Sequence, residues 1–215
     1  MGAKRAGIFA SAVLLIFAAL LPAPEVIDRI VAWVENDIIL LSDVRHLGKF
    51  QLLVDGKSEE EPKLLDRLID QWVVQIEADA SRFPRPSDAE IDQAVTALKN
   101  SFGSPEKYEE RKKQSGLSDG EIRDEIATQL YLSNYLDSRF RPAVQVDAKA
   151  IEEFYKTAVL PRAKARGQEP PSLESSRETI QEALVQKEID DQAEKWLQES
   201  RTRIHVQRAL DEGKQ

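Results

Sequence analysis

Residues Val26 to Val44 read VIDRIVAWVENDIILLSDV, a β-rich run in a chain otherwise patterned for helix. Ile30, Ala32 and Val34 alternate with Val31 and Trp33, all apolar, so this strand is expected to be covered on both faces or to lie against a helix. Ile38, Ile39 and Leu40 make a second short run. Asn36-Asp37 between them takes positive φ more readily than most residues, which predicts a tight hairpin turn there. A two-stranded hairpin is not stable alone, so it must find something to pack on.

The partner is helical. Ser42 is expected to cap a helix carrying Val44, Leu47 and Phe50, which fades before Asp55-Gly56. Leu64, Leu65, Leu68, Ile69, Trp72, Val73 and Ile76 then recur at helical spacing and give the widest apolar stripe, ending before Phe83-Pro84. Ser87 with Glu90, and Ser118 with Glu121, form capping boxes ahead of two further amphipathic stretches, Ile91 to Leu98 and Ile122 to Phe140. A short helix between them opens at Pro105 and closes at Gly116, and Pro142 ends the longer one. Asp147 can cap a turn or two with Ile151, Phe154, Tyr155 and Ala158. Residues 161–171, PRAKARGQEPP, show no periodic apolar face and read as a surface connection. A last helix starts near Ser172 and carries Leu173, Ile180, Leu184, Ile189, Trp196 and Leu197. It gives way to TRIHVQ, where Ile204 and Val206 alternate as in a strand, and residues 208–215 read as a disordered tail.

β signals therefore lie only at the two ends of the chain that follows the leader. The economical arrangement is a mainly α domain in which the C-terminal strand returns to the N-terminal hairpin. Trp33, Trp72 and Trp196 fall inside strong apolar patterns and are assigned to packing.

Met1 to Arg5 carries two positive charges and Ala6 to Pro24 none, the pattern of a secretory leader. The apolar stretch is almost long enough to span a bilayer, and Leu21 and Pro24 spoil the small-x-small cleavage pattern around Ala23. Residues 1–24 thus read as a signal peptide or an inner-membrane anchor through residues 6–24. Either places residues 25–215 outside the cytoplasm.

The net charge of −8 offers no basic footprint for nucleic acid. With no cysteine, thiol catalysis, disulfides and Cys-type zinc sites are excluded. His46 and His205 belong to no metal or triad pattern and read as surface or boundary residues. Carboxylate runs such as Glu59-Glu60-Glu61 and Asp190-Asp191 read as solvated faces rather than acid/base sites or cation ligands. No Gly-rich phosphate loop is present, so neither a catalytic site nor a cofactor is expected.

The order of leader, VIDRIVAWVENDIILLSDV, LLDRLIDQWVVQIEA, SDAEIDQAVTAL and GLSDGEIRDEIATQLYLSNYL resembles the N-terminal chaperone domain of the SurA family of periplasmic folding factors. The resemblance spans roughly Val26 to Val146. It includes Val34 to Ile39 as the family's hairpin and Ser42-Asp43-Val44 after it, with Glu35 and Asp37 departing from the common pattern. The segment from Pro171 to Val206 is similar to the helix and strand with which that family completes its core. On this resemblance residues 25–146 are the chaperone domain, and residues 147–207 complete the same core around the 161–171 loop. Family members usually carry parvulin-type isomerase domains between these parts. Here only Ile151 to Ser172 lie there, too short for such a domain, and the isomerase activity is not carried over.

The resemblance implies a non-enzymatic, ATP-independent chaperone of the periplasm that binds unfolded or partly folded exported and outer-membrane proteins through apolar and aromatic surface. Phe50, Tyr131, Tyr135 and Tyr155 are the candidate client contacts, because they sit at the edges of apolar faces and the tyrosines add a polar tip. The alternative for each is that it finishes the core. Competing functions are an isomerase-related enzyme with an unrecognised site and a membrane-tethered assembly subunit. The oligomeric state is open, a homodimer included.

Overall fold

The computed structural model describes residues 28–209, so the leader and residues 210–215 of the expected tail lie outside the described residues. Strands β1 (Ile30–Val34) and β2 (Asp37–Leu40) pair antiparallel with Val34 opposite Asp37. The two-residue turn is therefore Glu35-Asn36, one position earlier than Asn36-Asp37. Glu35 takes a positive φ of 54°, uncommon for a residue with a Cβ. A register irregularity between Ile30 and Ala32 lets the strand bend over the helices beneath it.

The C-terminal strand does return. β3 (Val206–Arg208) pairs antiparallel with β1, placing Ala32 opposite Arg208 and Val34 opposite Val206, so the sheet order is β2-β1-β3. β3 starts later than TRIHVQ suggests, because the Ile204 amide still donates to Ser200 O at 3.1 Å as the preceding helix unwinds. It also runs further. Arg208 and Ala209, expected in the tail, are held by the ladder, with the Ala209 amide donating to Val31 O at 2.9 Å and Arg208 ion-paired to Asp66.

Eight helices follow the hairpin among the described residues: α1 (Leu41–Asp55), α2 (Glu61–Ala80), α3 (Asp88–Ser101), α4 (Pro105–Ser115), α5 (Asp119–Phe140), α6 (Ala148–Phe154), α7 (Leu160–Ala165) and α8 (Leu173–Arg201). Ser42 does not cap α1. The helix begins a residue earlier, and Asp43 caps it instead by accepting the Leu40 amide at 2.8 Å, while Asp28 accepts the Ser42 amide at 3.2 Å. The boxes at Ser87/Glu90 and Ser118/Glu121 form as expected, each serine oxygen meeting the amide three residues on. Their glutamates are held below the ordinary carboxylate range by the serine hydroxyl and amide they accept. Gly48 lets α1 lie close to the segment before α2, since a Cβ there would stand 2.8 Å from Ser58 Oγ and 3.0 Å from Leu64.

Residues 161–165 are helical rather than part of a connection. The helix that starts at Ala148 passes through a wide π turn, Tyr155–Val159, in which the Leu160 amide donates to Tyr155 O, and continues as α7. Pro161 lacks the N–H that a regular helix would use, and the wide turn lies just ahead of it. The segment showed no apolar periodicity because only Ala163 of α7 is buried. The true connection is residues 166–172, and Ser172 caps α8 through the Ser175 amide.

Three buried clusters make the core. The sheet packs Ala32, Val34 and Ile39 on Val44, Leu47, Leu64 and Ile69 of α1 and α2. Phe50 and Leu53 of α1 meet Tyr108, Leu117, Ile122 and Ile126. Val74 and Ala78 of α2 meet Tyr131, Leu132 and Tyr135 of α5 and Trp196 of α8. Each fully buried aliphatic or aromatic side chain contributes about 1.5–3 kcal/mol, so these seams hold the helices together. Arg201 ties α8 to α2 by donating to Asp70 Oδ1 at 2.6 Å and to Asp66 O at 3.2 Å. Burial outweighs that arginine at Asp70 and pushes its pKa up.

Candidate functional site

Side chains of α1 and α5 meet where Phe50 and Leu53 pack on Ile122 and Ile126, and two grooves are lined by both helices. In the first, Asp43, His46 and Leu47 of α1, Leu68, Gln71, Trp72 and Gln75 of α2, and Glu125 and Thr128 of α5 line about 250 Å³. Trp72 packs on the sheet cluster with one side and forms the groove wall with the other. His46 Nε2 of α1 lies 3.7 Å from Glu125 Oε2 of α5. The second groove, about 320 Å³, runs between Phe50, Gln51, Val54 and Asp55 of α1, Ala94 and Leu98 of α3, and Ile126 and Gln129 of α5. Val54 and Ile38 are the large apolar side chains most exposed among the described residues, at 42% and 45%.

Both grooves have an apolar floor and a rim of amides and carboxylates, which suits loose apolar capture with little directional demand. Among the described residues no group of three metal-ligating side chains comes together. The displaced pKa values trace to caps, ion pairs or burial. Arg67 and Gln51 hold Glu59 down to about 2, and burial with a hydrogen bond to Asp79 pushes Tyr131 up to about 12.

The four residues named from sequence are not brought together. Phe50, Tyr131 and Tyr135 lie in the core at 5%, 1% and 5% exposure, so none displays its ring to solvent. Phe50 forms the inner floor of the second groove. The Tyr131 hydroxyl donates to Asp79 Oδ1 at 2.7 Å, and the Arg85 guanidinium covers its ring at 3.9 Å. Tyr135 meets Phe83 edge-on at 5.6 Å and Trp196 at 6.3 Å. Tyr155 is half-buried, away from both grooves, and its hydroxyl donates to Pro171 O at 2.8 Å. Apart from Phe50, the sequence reading named none of the residues lining the two grooves as a client contact. Val54 had a signal, since it stands one turn beyond Phe50 at the end of the α1 stripe.

No family model matches the chain. Among curated proteins it is similar to Chaperone SurA of Pseudomonas syringae pv. tomato, 26% identical over 150 residues that cover 66% of this chain and 35% of the relative. The Chaperone SurA of Pseudomonas aeruginosa is 29% identical over 137 residues, covering 60% of this chain and 33% of that protein. That of Pseudomonas fluorescens is 26% identical over 140 residues, 61% of this chain and 33% of the relative. The chain thus aligns with about a third of the length of relatives named as chaperones, a similarity that supports a SurA-like relation.

Proposed function

We propose that the protein is an ATP-independent chaperone of the periplasm that binds non-native exported and outer-membrane proteins along the two grooves lined by α1 and α5. The similarity to Chaperone SurA over 150 residues carries this reading. The basic start and apolar run of residues 1–24 support export. Two shallow grooves with apolar floors suit many weak contacts, from which a client departs without an energy source. An acidic body keeps such a surface soluble.

Photo-crosslinking tests the location. A benzophenone side chain placed at Val54 and at Gln75, one in each groove, is expected to capture an unfolded β-barrel membrane protein. The same probe at exposed Glu178 on α8 should not. Equal yields at all three positions would overturn the assignment to the grooves.

A further inference from the structure

The helix that runs through α6, the wide turn and α7 has its acidic residues, Glu152 and Glu153, in its first half, where Glu152 pairs with Lys156, while Arg162, Lys164 and Arg166 follow at its far end, in a chain of net charge −8. A groove of about 230 Å³ opens on this helix, lined by Phe154, Ala158, Val159 and Ala163, by Arg162 and Arg166, and by Gln168 and Pro171. The wide turn holds Ala158 and Val159, and such π turns recur at functional sites. The Tyr155 hydroxyl bonds Pro171 O at 2.8 Å and fixes the loop that closes the groove.

Arg162 and Arg166 are one turn apart and exposed, and neither meets a carboxylate among the described residues. Arg123, Arg141 and Arg201 each grip one, and Arg29, Arg82, Arg111, Arg139 and Arg203 do not, but of these unpaired arginines only Arg162 and Arg166 line this groove together. Two uncommitted guanidinium groups beside an apolar groove favour a ligand that brings both carboxylates and an apolar side chain. We propose that this groove docks an extended polypeptide segment in which an apolar side chain is flanked by acidic residues. The apolar side chain enters over Ala158 and Val159, and its neighbouring carboxylates pair with Arg162 and Arg166. An anionic membrane is the poorer partner, because the apolar side chains on the helical side of the groove, Phe154, Ala158, Val159 and Ala163, are half-buried or buried and none is exposed for insertion. The inference stands on this groove and does not depend on the chaperone reading.

Fluorescence anisotropy with the full protein tests it. The probe is a fluorescein-labelled Gly/Ser peptide with a central Leu between pairs of Glu; the control carries Lys in place of Glu. The Glu peptide is expected to bind saturably and the Lys peptide not to bind. Arg162→Glu with Arg166→Glu should weaken binding roughly tenfold or more, as two reversed exposed charges would. Arg162→Gln with Arg166→Gln repeats the test with no charge reversal, and Ala158→Trp fills the groove while keeping its charge; both should also weaken it. Equal binding of the two peptides, no binding of the Glu peptide, or undiminished binding by all three variants would overturn the proposal. So would sedimentation with phosphatidylglycerol vesicles, dependent on the two arginines, in a protein that ignores the Glu peptide. Aggregation suppression is read separately. If it is present while the Glu peptide fails to bind, this proposal alone falls; the reverse outcome removes the chaperone reading alone.

Discussion

Glu35 grips His205 twice across the sheet: its backbone amide donates to His205 O at 2.8 Å, and its Oε1 accepts the His205 amide at 2.7 Å. A side chain thus serves where a strand ladder has run out, and it joins the hairpin turn to the residue just before β3. The same residue bears a positive φ of 54°, so the contact offsets a backbone cost. Glu35→Ala keeps that cost and loses the bond. It should lower stability by about 1 kcal/mol, a fall in Tm of roughly 2–4 °C, while Glu35→Gly, relieved of the strain, should fall less. Thermal melts of the two variants side by side check the order.

Removing residues 202–215 should do much more. It takes away β3, the half-buried Ile204 and Val206 packed on the sheet cluster, and the Arg208–Asp66 pair. The expected loss is about 3 kcal/mol, or roughly 10 °C in Tm. An unchanged melting temperature would mean that the sheet closure contributes nothing to the fold.

Tyr131 is kept protonated by its burial and by its bond to Asp79, with its pKa raised from 10.0 to about 12. A folded-state pKa above the unfolded one favours folding below pH 10 and ceases to as pH rises through about 12. Ultraviolet titration should therefore show a tyrosine ionising late and together with alkaline unfolding. Tyr131→Phe should remove that step and cost about 1 kcal/mol at neutral pH, since exposed water can reach the Asp79 carboxylate left behind.

Acid acts in the opposite sense at Glu59. Its bonds from Arg67 and Gln51 lower its pKa from 4.5 to about 2, so its contribution is complete above pH 4.5 and is lost as pH falls toward 2. Glu59→Gln should flatten that part of the acid limb in Tm measured from pH 5 to pH 2. An acid limb identical to that of the parent would place the linkage in other carboxylates.

What the sequence made legible was set by local chemistry. The two capping boxes, the α2 stripe and the paired ends of the sheet follow from cap residues and apolar spacing, and the structure contains them. The hairpin turn moved by one residue because Glu35 answers to His205, 170 positions away, which no local pattern carries. Residues 161–165 escaped as helix because a helix touching the core through Ala163 alone has no apolar period. The tyrosines were the hardest to place. Helical spacing puts Tyr131 and Tyr135 on one face of α5, but only the arrival of Phe83 and Trp196 from other elements decides that this face is closed. The grooves are likewise formed by three helices and have no linear motif.

Aggregation suppression bears most directly on the proposed function. An unfolded β-barrel membrane protein is diluted from denaturant into buffer containing the purified protein, without nucleotide, and light scattering is followed against chaperone ratio at two salt concentrations. Suppression at near-stoichiometric ratios, reduced when Val54→Asp places a charge in the second groove, is the expected result. Undiminished aggregation in the presence of folded protein would contradict the chaperone assignment and point to a single dedicated partner.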